Sequence, residues 1–306
     1  MGIVIFGAGA MGSLLASLIA KAGEDVALVE RDRRARRAIE AHGLRYDGTG
    51  GEQRIPVPVR ETAPDDPVDL ALVCVRGADT DGVADELARA LGGSGVAVCF
   101  QNGVGRLDPL TDALGPGRVF SAWTNMSATL VEAGHVLHTS WGDTRIAPCA
   151  PESIDAATTL AARLTRLGLK THATPNCERL VWTRTVIQSG WQAIAMVAQI
   201  ANDRVLAIDE ARALMKAAVA EAVSVTKTAG IELLVDHPVV EVERILELTA
   251  GHMCPMLQDL FRNRPIEVDA INGAIVDLAR QRGLAAPIHE TLTRLAKTVE
   301  CARREG

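Results

Sequence analysis

The chain is 306 residues long and 48% apolar, with a formal net charge of −6. That length suits two domains of roughly 150 residues each, and the apolar share can bury a sizeable core, which excludes a disordered chain. The acidic balance argues against a nucleic-acid binder, which would present a basic face. The six cysteines (Cys74, Cys99, Cys149, Cys177, Cys254 and Cys301) are scattered without a C-x-x-C pair, and the seven histidines are dispersed. No metal site is expected, and such cysteine usage fits a reducing cytoplasm. The N-terminus has no charged n-region or cleavage site, and the apolar stretch 11–20 is too short to span a bilayer. A cytoplasmic protein with no membrane partner is the expectation.

In chain order, the first half alternates between buried strands and helices. Ile3, Val4, Ile5 and Phe6 form a short apolar run bounded by glycine, as in a buried parallel strand. A helix is predicted over 11–21, closed by Gly23, then a strand over 25–29 and a helix over 33–42 ending at Gly43. Further strands are predicted at 68–75 and 95–100, with a helix over 79–91 between them. This alternation implies a doubly wound parallel sheet with right-handed crossovers. From 119 to 146 the pattern turns to short strands, expected as antiparallel additions that finish the sheet. After Thr174 and Pro175 long helices follow, at 177–201, 210–229, 239–249, 266–281 and 288–303. The predicted class is α/β, with a dinucleotide-binding domain over 1–173 and an all-helical substrate domain over 174–306.

Gly7, Ala8, Gly9, Ala10, Met11 and Gly12 spell G-x-G-x-x-G directly between a buried strand and a helix. In that context the motif signals a Rossmann-type dinucleotide site. Gly7 permits the tight turn, Gly9 lets the backbone approach a pyrophosphate, and Gly12 lets the helix pack on the strand. The second strand ends in Glu30, Arg31 and Asp32. A carboxylate at Glu30 suits the ribose hydroxyls of NAD, whereas Arg31, supported by Arg33 or Arg34, suits the 2′-phosphate of NADP. Both cofactors stay open on these residues. Arg76 and Asn102 each stand just past a buried strand, on the edge where open α/β sheets bind ligands. Asn102 could bond the nicotinamide ribose or the substrate, although Asn-Gly is also an ordinary turn.

The chain resembles the ketopantoate reductase (2-dehydropantoate 2-reductase) family over most of its length. The likeness is carried by GAGAMG, Arg31, Gln101-Asn102-Gly103-Val104-Gly105, the segment ending in His138-Thr139, Met256-Leu257-Gln258-Asp259, and Ile266-Glu267-Val268-Asp269-Ala270-Ile271-Asn272-Gly273. The resemblance implies NADPH-dependent reduction of a 2-keto acid in a cleft between two domains, so NADP is the expected cofactor and NAD the alternative. It places the family's catalytic lysine at Arg184, two substrate-holding asparagines at Gln188 and Gln192, a third at Asn202, and the acidic active-site residue at Glu267. A family serine falls at Pro255.

On the helix predicted over 177–201 Arg184, Gln188 and Gln192 share one face, since steps of four advance only about 40° each. A polar stripe on an otherwise apolar helix is expensive to bury without a ligand. Arginine can hold a carboxylate or a developing oxyanion, but its pKa above ~12 makes it a poor proton donor. The expected catalytic residues are therefore Arg184, Glu267 and Asn102, with the proton from water or Glu267. The substrate is expected to be a small 2-keto acid or related ketone, possible partners being this small molecule and a second copy of the chain. Reduction of an imine, as in opine synthesis, is the alternative, because Arg184 can hold a carboxylate while an iminium arrives already protonated. A non-catalytic redox sensor is the competing class, but it would need neither Glu267 nor Asn102.

Overall fold

The computed structural model describes residues 2–305. Two compact units emerge, the first comprising 1–101 and 106–180 and the second 102–105 and 181–306. The first unit begins with β1 (Ile3–Phe6), α1 (Ala10–Lys21), β2 (Val26–Val29) and α2 (Arg33–His42). A hairpin of β3 (Leu44–Gly48) and β4 (Gly51–Ile55) follows, then β5 (Val59–Arg60), β6 (Leu70–Val73), α3 (Asp81–Leu91) and β7 (Val96–Cys99). After α4 (Asp108–Leu114) come β8 (Val119–Thr124), β9 (Ser127–Glu132), β10 (His135–Ser140), β11 (Thr144–Pro148), α5 (Ile154–Arg166) and β12 (Thr171–Ala173).

Eight strands form the main sheet in the order β12-β11-β8-β7-β6-β1-β2-β5. From β8 to β5 every pairing is parallel, and β11 joins β8 antiparallel. This is a Rossmann-like arrangement. Successive side chains of a strand point to opposite faces, and β1 sorts accordingly: Ile3 and Ile5 join one buried cluster with Leu14, Leu15 and Leu164, while Val4 and Phe6 join another with Val83, Leu87 and Leu110. Each such fully buried aliphatic side chain contributes about 1.5–3 kcal/mol relative to exposure.

The expectation for 119–146 needs correction. Only β8 and β11 extend the main sheet; β9 and β10 instead form a separate four-stranded sheet, β4-β3-β10-β9. There β10 runs parallel to β3, with Val136 opposite Tyr46. The reason is packing: Leu44, Tyr46, Ile55 and Val136 all bury into the cluster that surrounds α1.

The second unit is helical. Its first helix, α6 (Cys177–Ser189), crosses the division between the units, which parts Leu180 from Val181. Then come α7 (Gln192–Ala198), α8 (Arg204–Ala207), α9 (Asp209–Thr228), α10 (Pro238–Leu248), α11 (Pro255–Phe261), α12 (Ala274–Gln281) and α13 (Pro287–Glu305). The single helix expected over 177–201 is broken between α6 and α7. At Gly190 a Cβ would stand 2.4 Å from Val219 Cγ2 on α9, so the backbone approaches that helix too closely for any side chain. Trp191 leaves helical geometry at φ −140°, and the Ser189 carbonyl accepts a hydrogen bond from Asn272 Nδ2 at 2.9 Å. Asn272 thus satisfies a backbone acceptor beside the break.

Candidate functional site

In the first unit the glycine loop joins β1 to α1. Gly7 sits at φ +99°, and a Cβ there would lie 2.9 Å from the Val75 nitrogen just past β6. Gly12 is tighter still, since its Cβ would stand 1.9 Å from Gly7 O. Gly9 differs: among the described residues nothing lies within 4 Å of where its Cβ would be. Two glycines therefore serve the fold and one leaves open space beside the backbone. Gly9 is also the N-cap of α1, and among the described residues no side chain caps that end. An uncapped helix start with clear backbone beside it fits the pyrophosphate of a dinucleotide, which accepts from N–H groups and is favoured by the helix dipole. Ala10 and Met11 form the first turn, and Ala8 is buried beneath it.

The end of β2 is organised by Glu30. Its Oε2 accepts from Ala8 N at 2.7 Å and its Oε1 from Asp32 N at 2.8 Å, which holds the carboxylate against the glycine loop. Asp32 caps α2 by accepting from Arg34 N and Ala35 N. Arg31 points elsewhere: its Nη2 donates to Gly82 O at 2.7 Å and pairs with Glu86 at 3.2 Å. Arg36 donates to the carbonyls of Glu30 and Arg31 and pairs with Glu61, so it braces the turn. Arg76 lies just past β6, half-buried, at the start of the short 3-10 turn Gly77–Asp79. Beside it Gln101 Nε2 donates to Val75 O and to Thr80 Oγ1.

The second unit gathers Asn102, Gln188 and Glu267. Asn102 Nδ2 donates to Glu267 Oε2 at 3.2 Å, and Gln188 Nε2 donates to Asn102 Oδ1 at 2.9 Å. The loop carrying Asn102 is fixed from below, with Val104 N donating to Ala270 O at 2.9 Å. Gly103, at φ +89°, has no room for a side chain, since a Cβ would lie 2.6 Å from Ala270 Cβ. Glu267 immediately precedes the helical start at Val268 and the π-helical turn Asp269–Gly273. Arg184 stands one turn before Gln188 on α6, half-buried on the same face.

Gln192 lies past the break at Gly190, at the first position of α7. It is wholly buried, as is Asn202, whose Nδ2 donates to Thr249 Oγ1 at 2.9 Å. The side-chain amide oxygens of Gln188, Gln192 and Asn202 are buried with no hydrogen-bond partner among the described residues. Each unpaired buried acceptor costs on the order of 1–3 kcal/mol. A ligand or water offering N–H or O–H groups would offset that cost.

A second polar network was not foreseen from sequence. His289, wholly buried, meets Glu221 Oε1 through Nδ1 at 2.8 Å and Ser189 Oγ through Nε2 at 3.1 Å. Glu221 also accepts from the N–H groups of Ile288 and His289, which closes the start of α13. Ser189 lies next to the helix break, so this network supports the segment that carries Gln188. No periodic signal marks it, since Ser189, Glu221 and His289 are remote in sequence. An open cavity of about 340 Å³ on this unit, bounded in part by Asp269, Arg280, Glu290, Arg294 and Lys297, includes none of the predicted site residues. Among the described residues no group of three or more His, Cys, Asp or Glu side chains could hold a metal, and no helix is long and apolar enough to cross a membrane.

Comparison with known proteins adds the family. Residues 3–151 match the model described as Ketopantoate reductase PanE/ApbA, and residues 176–300 match Ketopantoate reductase PanE/ApbA C terminal. A 2-dehydropantoate 2-reductase of Archaeoglobus fulgidus is 30% identical, over 97% of each chain. The one from Halobacterium salinarum is 29% identical over 100% of each chain. Among solved structures, a ketopantoate reductase from Ralstonia eutropha JMP134 superposes with TM-score 0.88 at 27% identity, over 99% of this chain and 100% of that one. D-mandelate dehydrogenase, in a ternary complex with NADH and anilino(oxo)acetate, superposes with TM-score 0.94 at 24% identity over 99% and 100%, a likeness of fold.

Proposed function

The chain belongs to the ketopantoate reductase family, and on that premise we propose that this oxidoreductase reduces the ketone of a small 2-keto acid with NADH. The observation that carries the assignment is the hydrogen-bonded trio of Gln188, Asn102 and Glu267. A carboxylate oriented by an amide, which is itself oriented by a second amide, is a preorganised polar group of the kind that proton transfer requires.

A bound nicotinamide dinucleotide would supply the hydride. Gly7, Gly9 and Gly12 shape the loop that would hold its pyrophosphate, with Ala8, Ala10 and Met11 between them. Glu30 argues for NADH, since a 2′-phosphate would approach a carboxylate already fixed by Ala8 N and Asp32 N. Arg31, the residue suited to that phosphate, is engaged by Gly82 O and Glu86 instead. Arg76 and Asn102 follow β6 and β7 and are assigned to the nicotinamide side of the cofactor.

Arg184 takes the place of a lysine in the family pattern. We assign it to the charge that develops on the carbonyl oxygen, which a fixed guanidinium stabilises without giving up a proton. The proton then comes through Glu267 or from water that Glu267 orients. Gln188, Gln192 and Asn202 present buried acceptors to substrate hydroxyl or N–H groups.

The test is a fluorescence titration with NADH and NADPH, followed by turnover on ketopantoate and a panel of 2-keto acids. NADH should bind more tightly and be oxidised by at least one 2-keto acid. Failure to bind either nucleotide would overturn the assignment; binding with turnover only on imines would move it to C=N reduction. Arg184→Ala should lower turnover by at least about 10²–10³-fold, whereas an unchanged rate would remove Arg184 from the chemistry.

A further inference from the structure

Ser189, the last residue of α6, is held by two buried side chains to which the reduction assigns no task. Asn272 Nδ2 donates to its carbonyl at 2.9 Å, and His289 Nε2 meets its hydroxyl at 3.1 Å. Both side chains are wholly buried. The Oδ1 of Asn272 has no partner among the described residues, so a buried amide at this place is destabilising apart from what its Nδ2 holds. Packing alone would favour an apolar side chain of similar size.

What Nδ2 holds is one link of a ring. From Ser189 the chain steps back to Gln188, whose Nε2 donates to Asn102 Oδ1 at 2.9 Å, and Asn102 Nδ2 donates to Glu267 Oε2 at 3.2 Å. The backbone carbonyl of Glu267 accepts from Ile271 N at 3.2 Å, and Ile271 directly precedes Asn272. The ring therefore closes through the π-helical turn Asp269–Gly273, and every member lies in the second unit. From this closure we propose that Asn272 is a positioning residue for the reduction. By tying the Ser189 carbonyl to the π-helical turn, it sets where Gln188 stands and so how Asn102 meets Glu267. His289, itself fixed by Glu221 Oε1 at 2.8 Å, anchors the same serine by its hydroxyl.

The break in the helix is what makes an anchor necessary. A continuing helix would hold this stretch through its own hydrogen-bond ladder. Here α6 stops, and Gln188 stands in its last turn, where helices fray. A side chain carried on a fraying turn orients nothing, and an ångström of error at a proton-transfer group costs up to about 10²-fold in rate. The inference rests on the proposed reduction, because the task it gives Asn272 is the aim of Glu267.

The experiment pairs kinetics with amide exchange in the full-length protein. Asn272→Ala should lower kcat by about 10–10²-fold. NADH affinity should stay that of the wild type, because the glycine loop belongs to the other unit. Added to Gln188→Ala, the substitution should cost nothing further, since the path it acts through is already cut; a merely structural Asn272 would give additive losses. Ser189→Ala removes only the His289 arm and leaves the carbonyl bond, so it should show the same coupling in milder form and serves if Asn272→Ala folds poorly. By NMR, the side-chain amide protons of Gln188 and Asn102 should be protected from solvent exchange in the wild type and lose that protection in either variant. This second readout needs no substrate. A wild type that reduces no 2-keto acid would overturn the reaction and leave the positioning to be decided by the amides. Additive losses in kcat, or amide protection that survives both variants, would overturn the role of Asn272.

Discussion

Asn102 donates from Nδ2 to Glu267 Oε2 at 3.2 Å, while its own Oδ1 accepts from Gln188 Nε2 at 2.9 Å. The amide cannot flip without placing its oxygen against the carboxylate and its NH₂ against another NH₂. Its orientation is thus fixed by its neighbours, and it in turn fixes Glu267. Asn102→Ala should leave the fold intact and lower turnover by about 10–10²-fold, the cost of a catalytic group misplaced by an ångström or so. Steady-state kinetics beside a thermal melt would check this; a normal rate would mean that Glu267 needs no such orientation.

Gly9 and Gly12 should respond in opposite ways to the same added methyl. Gly12→Ala drives a Cβ to 1.9 Å from Gly7 O and should cost more than about 2 kcal/mol of stability. Gly9→Ala meets no described atom within 4 Å, so the melting temperature should hold. Its NADH dissociation constant should nevertheless rise at least about tenfold if the pyrophosphate rests on that backbone, since a tenfold loss is only about 1.4 kcal/mol. Unchanged NADH affinity in Gly9→Ala would place the cofactor elsewhere.

Glu30→Ala removes the carboxylate that faces the glycine loop. The ratio of NADPH to NADH affinity should rise by about tenfold, through loss of repulsion toward a 2′-phosphate and of acceptors for the ribose. Paired fluorescence titrations measure the ratio directly. A ratio that stays constant would take Glu30 out of cofactor selection.

Glu221 ties stability to acid pH. Burial raises its carboxyl, but the hydrogen bonds from the His289 side chain and from the N–H groups of His289 and Ile288 outweigh it, leaving the group below its ordinary value of 4.5. A carboxyl depressed in the folded state stabilises the protein fully above its unfolded value and progressively less as pH falls through the folded one. Wild type should therefore lose this contribution below about pH 4.5. Glu221→Ala should be destabilised by about 2 kcal/mol or more at neutral pH, since it leaves buried donors unpaired. Denaturant unfolding at pH 7 and pH 4 checks both, and equal wild-type and variant stabilities at pH 7 would refute the account.

The parts of the fold that local signals encode were legible. β1, the glycine loop and α1 lie together in sequence, so an apolar run, three glycines and a helical period report them directly. The small sheet was not legible, because β4 reads GEQRI with four exposed residues and no apolar alternation. Its partner relation, β3 with β10, joins segments far apart in the chain. Nor was the break after Ser189, since one glycine in a helical run is cheap and the Val219 side chain packed against it stands on α9. The phase count from Arg184 to Gln192 therefore does not carry past Ser189. Asn102 came from its place past a buried strand and Glu267 from a family motif; their contact, like that of Glu221 and His289, is set by tertiary packing alone.

The π-helical turn Asp269–Gly273 carries one residue more than an α-helical path between Glu267 and α12 would need. Each residue of a helix advances the phase by about 100°. The direction in which residue 267 points, relative to the core of α12, is therefore set by how many residues intervene, independent of which they are. Deleting one residue within 269–273 would let the ladder close as regular α-helix and swing Glu267 away from Asn102. Such a variant should keep its helix content while losing turnover. A gap in this stretch between two relatives would then be a change of aim, even where every side chain at the site is the same.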